Sequence, residues 1–284
     1  MNSNFIKRTI TGLLFVILLV GSILYGPLSF ITVFGLFSAF STYELTGLLN
    51  QTEKVNVNRF ITSLSSLYLF IATALYQAEI VHSGFIYIPY LAILLYLIIS
   101  ELYFDKKNPI GNIAATALSQ IYVGLNFALI NLLAFDTTAY NPSLTTYRSI
   151  IPLSLFIFIW ISDSGAYLVG SAIGKHKLFP RISPNKSWEG SIGGGLFAVL
   201  AALLLTYLDH TYLDSTFTLI QWIGFALVVV VFGTWGDLTE SLFKRQLGIK
   251  DSGNVLPGHG GFLDRFDSTI LAIPATVIYL FLFL

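Results

Sequence analysis

The sequence predicts an all-α, polytopic integral membrane protein with about nine transmembrane helices and a cytoplasmic N-terminus. Of its 284 residues, 55% are hydrophobic and only 11% are charged, a balance too apolar for a soluble domain. The apolar stretches run continuously for about 20 residues, the length that one helical crossing needs. They do not alternate with a period of two, so a transmembrane β-barrel is disfavoured.

Nine apolar segments follow one another, separated by turn-forming residues such as Gly26-Pro27 and Asn141-Pro142. They cover residues 9–25, 28–49, 60–81, 85–104, 112–135, 150–172, 191–208, 217–243 and 268–284. The first segment has the basic flank of a signal peptide. Apolar sequence resumes directly after Pro27 without a convincing small-residue cleavage site, so the segment is predicted to be a span.

Lys and Arg residues define the orientation, because cytoplasmic loops are enriched in both. With nine spans and an inside N-terminus, all 15 Lys and Arg residues except Arg148 fall on the cytosolic side. The charged C-terminal segment is therefore expected to face the cytosol. The expected location is a bacterial inner membrane. Residues 1–111 are predicted to form a lipid-side scaffold of transmembrane helices, and residues 112–284 a catalytic region.

Composition also excludes several classes of chemistry. The chain has no cysteine, which excludes disulfides, thiolate nucleophiles and Cys-ligated zinc. Its formal net charge is zero, so no bulk attraction to nucleic acid is expected, and the positions of the charges must carry the functional information.

Ionisable residues at membrane depth are costly and point to function. Asp163 lies within the sixth span; the alternative is a buried carboxylate satisfied by neighbouring serines or a lysine. Near the cytosolic end of the eighth span, four polar residues share one helical face through i, i+3, i+4 and i+7 spacing. They are Asp237, Glu240, Ser241 and Lys244. An ordinary salt bridge between Lys244 and Glu240 would also explain this pattern.

Glycines near these residues have two predicted uses. Gly233 and Gly236 would permit close approach of another helix or a ligand. The small-residue face from Gly165 to Gly174 would suit packing within one chain or between two, which leaves a homodimer open.

The loop at residues 174–190 combines basic and small residues. Membrane orientation alone explains part of its Lys and Arg content. It does not explain Ser183-Pro184-Asn185-Lys186-Ser187-Trp188-Glu189-Gly190. Small residues and a lysine before a helix N-terminus are suited to binding phosphate, although this is not the strand-loop-helix pattern of a P-loop.

The segment from Ser241 to Asp267 is rich in charge and glycine. His259 could be an ordinary hydrogen-bonding loop residue, and Asp267 or Ser268 could cap the last helix. Neither alternative accounts for Asp264 and Arg265 as well. Carboxylates without Cys or paired His favour Mg²⁺ over zinc, and Mg²⁺ with nearby cations suits a nucleoside triphosphate.

Three blocks resemble the phosphatidate cytidylyltransferase (CDP-diacylglycerol synthase) family, over roughly Ile150 to Pro274. They are Ser162-Asp163-Ser164-Gly165-Ala166-Tyr167, the block from Ser183 to Gly190, and Ser241-Leu242-Phe243-Lys244-Arg245 with Lys250-Asp251 and Leu256-Pro257-Gly258-His259-Gly260-Gly261-Phe262-Leu263-Asp264-Arg265-Phe266-Asp267. Ser164 stands where Thr is expected, and both residues carry a hydroxyl.

The resemblance implies that CTP and phosphatidic acid react to CDP-diacylglycerol and pyrophosphate at the membrane, with Mg²⁺ and a possible second metal ion. The hypothesis assigns the metal to Asp163, Asp237, Asp264 and Asp267. Catalytic roles are assigned to Asp237, Asp264, Asp267, Lys244 and Lys186. Substrate contacts are assigned to Ser183, Lys186, Ser187, Glu189, Lys244, Arg245, Lys250, Asp251, His259, Gly260, Gly261 and Arg265.

Two other classes of protein are alternatives to this function. A CTP-dependent lipid or polyprenol kinase would use a similar interfacial site but transfer the γ-phosphate. A secondary transporter would place broken helices near the bilayer midplane in two related halves. The ionisable residues here crowd one interface and one half of the chain, which disfavours the transporter.

Overall fold

The computed structural model describes residues 3–52, 54–104, 106–136, 146–212, 217–249, 252–253 and 260–283. Helices carry nearly all the regular structure of these residues. Their bounds are α1 Ser3–Tyr25, α2 Pro27–Asn50, α3 Arg59–Gln77, α4 Ile88–Tyr103, α5 Pro109–Ala134, α6 Ile150–Ile173, α7 Trp188–Tyr212, α8 Leu219–Gln246 and α9 Leu263–Phe283. The predicted all-α fold is confirmed.

Among the described residues, eight helices are long and apolar enough to cross a membrane. They are α2 to α9, with α4 extended by the 3₁₀ turn Gly84–Tyr87. The apolar part of α1, Thr9–Tyr25, is shorter. Each of the nine predicted apolar segments therefore corresponds to a helix, and the protein is an integral membrane protein.

Two compact units divide the chain. The first unit comprises Met1–Pro152 and Leu247–Phe266, and the second comprises Leu153–Gln246 and Asp267–Leu284. The predicted division at residue 111 into scaffold and catalytic region concerns function and stays a prediction.

The first unit has an aromatic core crossed by polar contacts. Phe30, Phe34 and Phe70 are fully buried, and the Phe30 ring contacts the other two rings. The Thr42 hydroxyl donates to Ser66 Oγ at 2.9 Å, and the Gln120 amide donates to the same oxygen at 3.0 Å. Such internal partners are required where lipid offers no hydrogen bonds.

Four short strands pair as two small antiparallel ladders among the described residues. In the first unit, β1 (Phe135–Asp136) pairs with β2 (Thr146–Tyr147). In the second unit, β3 (Lys177–Phe179) pairs with β4 (Ser183–Ser187), placing a hairpin within the predicted loop at residues 174–190. The β3–β4 hairpin leads directly into α7.

Glycines let the helices of the second unit approach closely. A β-carbon on Gly165 would lie 2.8 Å from the Phe197 ring, and one on Gly190 would lie 2.8 Å from the Ala166 carbonyl. The face from Gly165 onward therefore packs on α7 of the same chain. A β-carbon on Gly236 would lie 2.5 Å from the Asp267 carbonyl. This confirms the predicted close approach, here between α8 and α9.

Candidate active site

An acidic–basic cluster lies in the second unit. It contains four carboxylates and two ammonium groups. They are supplied by helices α6, α8 and α9 and by strand β4, which precedes α7. Its members are Asp163, Asp237, Glu240, Asp267, Lys186 and Lys244.

Asp237 is the best-connected member of the acidic–basic cluster. Its Oδ2 lies 2.6 Å from Lys186 Nζ, and its Oδ1 accepts a hydrogen bond from Ser241 Oγ at 3.2 Å. Both partners of the ion pair remain about one quarter exposed, with side-chain exposures of 24% for Lys186 and 27% for Asp237. The pair is therefore accessible to a ligand and is not sealed in the core.

Lys244 lies near two acidic side chains, Glu240 and Asp267. Its Nζ lies 3.2 Å from Glu240 Oε1, one helical turn earlier, and the Glu240 side chain is only 1% exposed. The salt bridge considered for this helix end is therefore present. Lys244 also attracts the carboxylate of Asp267 in α9. Its charge therefore acts on α9 as well as pairing with Glu240.

Asp163 and Asp267 complete the acidic–basic cluster. Asp163 is exposed on α6. Its carboxylate is attracted by Lys186 and repelled by Asp237. Asp267 interacts with Asp237 and Asp163. Since α9 begins at Leu263, Asp267 lies beyond the first turn, and the alternative that Asp267 or Ser268 caps this helix is wrong.

The charges of the acidic–basic cluster fit a divalent cation. Four carboxyl groups lie with two ammonium groups, and carboxylate oxygens are ligands that Mg²⁺ prefers. Within the described part of the chain, no three acidic or histidine side chains stand close enough to hold an ion together. Lys186 instead contacts Asp237 at 2.6 Å. Three carboxylates could therefore hold an ion together only after their side chains, as well as Lys186, had moved.

Contacts within the second unit hold the β3–β4 hairpin that carries Lys186. Glu189 accepts hydrogen bonds from the backbone N–H groups of Lys175 and His176, both at 3.2 Å. Ser187 is buried, and its hydroxyl oxygen accepts the Gly190 N–H at 3.1 Å, as an N-cap of α7 does. The assignment of Ser187 and Glu189 as substrate contacts stays a prediction.

Two other predicted substrate contacts are placed at the same hairpin. Arg245 is exposed at the end of α8, where its Nε lies 3.5 Å from the Ile182 carbonyl. Ser183 begins β4 opposite Phe179. Both lie near the strand that carries Lys186, so the hairpin brings together residues that are distant in sequence.

Asp264 lies in the first unit, where it closes a glycine-containing loop. Its Oδ2 accepts the backbone N–H of Ser252 at 2.9 Å and that of Gly261 at 2.8 Å. Gly260 has a positive φ of 81°, and Arg265 is exposed. Lys250, Asp251 and His259 lie outside the described residues. Metal binding by Asp264 stays a prediction.

Glu44 in α2 is a buried acidic residue that the sequence prediction did not assign to the site. It is only 7% exposed, and its Oε2 accepts the backbone N–H of Leu263 at 2.9 Å. The signal that could have found it was its charge inside the predicted span 28–49. The same criterion selected Asp163.

Comparison with known proteins identifies relatives along almost the whole chain. The model of a family described as "Cytidylyltransferase family" matches residues 6–283. The phosphatidate cytidylyltransferase of Staphylococcus aureus (strain COL) is 31% identical over 272 residues, covering 94% of this chain and 95% of that protein. The phosphatidate cytidylyltransferase of Haemophilus influenzae is 46% identical over 122 residues, covering 43% of this chain and 42% of that protein.

Proposed function

Because this chain belongs to the cytidylyltransferase family and is therefore a nucleotidyltransferase, we propose that it converts CTP and phosphatidic acid to CDP-diacylglycerol and pyrophosphate. The structural observation that carries the proposal is the accessible Lys186–Asp237 pair within a cluster of four carboxyl groups. Such a pair can separate, with the lysine passing to substrate phosphate and the carboxylate to a cation.

The proposed reaction is a displacement at the α-phosphorus of CTP. A phosphate oxygen of phosphatidic acid forms a new bond to this phosphorus, the bond to the bridging oxygen of the β-phosphate breaks, and its electron pair leaves with pyrophosphate. The nucleophile is already an anion, so no strong general base is needed. Catalysis then depends on alignment and on neutralising phosphate charge.

The acidic–basic cluster supplies groups for both tasks. Lys186, Lys244 and Arg245 would hold phosphate oxygens, and Asp163, Asp237 and Asp267 would hold Mg²⁺. When bound, the ion neutralises triphosphate charge and orients the reacting phosphates. A second metal ion, and the assignments of Asp264, Arg265, Gly260 and Gly261 to ion or nucleotide, are further predictions from the family resemblance.

We propose that the reaction takes place on the cytosolic side of a bacterial inner membrane. The support is the distribution of Lys and Arg, since only Arg148 falls outside the predicted cytosolic loops. A homodimer stays a prediction. The glycine face that suggested it packs on α7 of the same chain.

Product analysis tests the proposed function directly. Purified protein in detergent or vesicles is incubated with Mg²⁺, phosphatidic acid and CTP labelled in the cytidine, and the products are separated. We expect labelled CDP-diacylglycerol and one pyrophosphate for each lipid formed. With a lipid or polyprenol alcohol as acceptor, formation of CDP and a phosphorylated alcohol would instead establish the kinase. Protein-dependent movement of solute without either reaction would support a transporter.

We expect Lys186→Met to lower kcat/KM for CTP by roughly tenfold or more, because a charge-assisted contact to phosphate is lost. The matched control is Lys177→Met, which changes an exposed lysine of the same hairpin and should keep wild-type kinetics. Initial rates over a range of CTP concentrations measure the difference. Equal kinetics for the two variants would contradict phosphate binding by Lys186.

A further inference from the structure

Glu44 places a carboxylate where charge is costly unless it has polar partners. It lies on α2 in the first unit, and it bonds to Ser252 and to Leu263, the first residue of α9. Oε2 accepts the Leu263 N–H at 2.9 Å and the Ser252 hydroxyl at 3.3 Å. One carboxylate oxygen therefore joins the two ends of the loop.

Two glycines of this loop make room for the Glu44 carboxylate. A β-carbon on Gly253 would lie 2.8 Å from Oε1, and a β-carbon on Gly261 would overlap Oε2. Any larger residue would have to displace a buried charged group or the backbone. Alanine at either position would therefore require the Glu44 side chain to shift from its observed place.

Aromatic packing fixes the face of α2 that presents Glu44. The Phe40 and Phe262 rings stack with centroids 5.2 Å apart, and the Phe37 ring lies 5.8 Å from the same Phe262 ring. Phe37, Phe40 and Glu44 share one face of α2 through i, i+3 and i+7 spacing. The Glu44 carboxylate and the two rings of α2 therefore act together to hold the start of α9.

Glu44 also differs from Asp264, the other carboxylate that binds this loop. Both contact Ser252, Asp264 through the backbone N–H and Glu44 through the side-chain hydroxyl. Glu44 Oε1 has no hydrogen-bond partner among the described residues, although the group is only 7% exposed. Buried polar atoms are usually hydrogen-bonded, so this oxygen requires an explanation.

We propose that Glu44 is a positioning residue that holds Ser252 and Leu263 in the arrangement required for CTP binding. This inference rests on the proposed function, because Leu263 belongs to the block that resembles the cytidylyltransferases. It also assigns the N-terminal helices a part in nucleotide binding, beyond the predicted role of a lipid-side scaffold.

The test combines hydrogen exchange with kinetics. Glu44→Leu removes both hydrogen bonds, whereas Glu44→Gln keeps one oxygen that can accept them. We expect exchange of the Leu263 amide to rise about tenfold or more in Glu44→Leu and less in Glu44→Gln. KM for CTP should rise in the same order, about tenfold in Glu44→Leu, with KM for phosphatidic acid nearly unchanged.

Glu101→Gln is the matched control, because Glu101 is a largely covered carboxylate of the first unit that pairs with Lys106 and Asn112. It should leave exchange at Leu263 and KM for CTP unchanged. Wild-type exchange at Leu263 in both Glu44 variants, or exchange that rises without a change in KM for CTP, would overturn the proposal. If Glu44→Leu does not fold, Glu44→Gln decides by the same criteria. An inactive wild-type protein would reject the proposed function, while the exchange data would still report whether Glu44 holds the loop.

Discussion

Replacing Asp237 with Asn is expected to lower turnover of CTP and phosphatidic acid by about 10³-fold, the scale seen when one preorganised electrostatic group is removed from an active site. Asp237 contacts Lys186 at 2.6 Å and interacts with both Asp163 and Asp267. Asn keeps the size of the side chain but removes the negative charge. The variant therefore loses a predicted metal ligand and the partner that positions Lys186.

The dependence on Mg²⁺ separates these two roles. If Asp237 binds the ion, the Mg²⁺ concentration for half-maximal activity should rise; if Asp237 only positions Lys186, KM for CTP should rise instead. Thr239→Ala is the control on the same helix, since Thr239 bonds within the helix to the Trp235 carbonyl. Near-wild-type turnover of Asp237→Asn at saturating Mg²⁺ would refute a catalytic role for this carboxylate.

The spans could be predicted from sequence because hydropathy along one segment depends on local composition alone. Helical periodicity likewise placed Asp237 and Lys244 on one face, since spacing along a helix is fixed. The Glu240–Lys244 contact at 3.2 Å follows from the same spacing. Features determined by one element and its period were therefore accessible without the structure.

Features that depend on distant contacts were not predicted. The β3–β4 hairpin is too short for a strand signal, and Glu189, which follows it, binds the backbone that precedes it. The contact from Glu44 to Leu263 spans 219 positions. The sequence around either residue contains no sign of the other. The last helix was predicted to begin at Ser268 because charged residues precede that position. It begins at Leu263, where Glu44 accepts an N–H of the first turn.

Gly236→Ala is expected to reduce activity about 100-fold, as small displacements of reacting groups can do, and to destabilise the protein by about 1–3 kcal/mol through overpacking. The added methyl would lie 2.5 Å from the Asp267 carbonyl and 3.0 Å from the Ser268 carbonyl. Both are backbone atoms of α9, which cannot rotate away as a side chain can. Relief requires α9 to move from α8, and Asp267 moves with it.

Gly195→Ala provides a control of the same chemical size in the same unit. Gly195 lies within helix α7, and a β-carbon there would meet no atom within 4 Å. Alanine favours helix over glycine by about 1 kcal/mol, so this variant should be at least as stable as the wild type and equally active. Thermal unfolding in detergent and initial rates with Mg²⁺ would measure both effects. Equal activity of the two variants would contradict the prediction and show that the close approach of α8 and α9 at Gly236 is not needed for turnover.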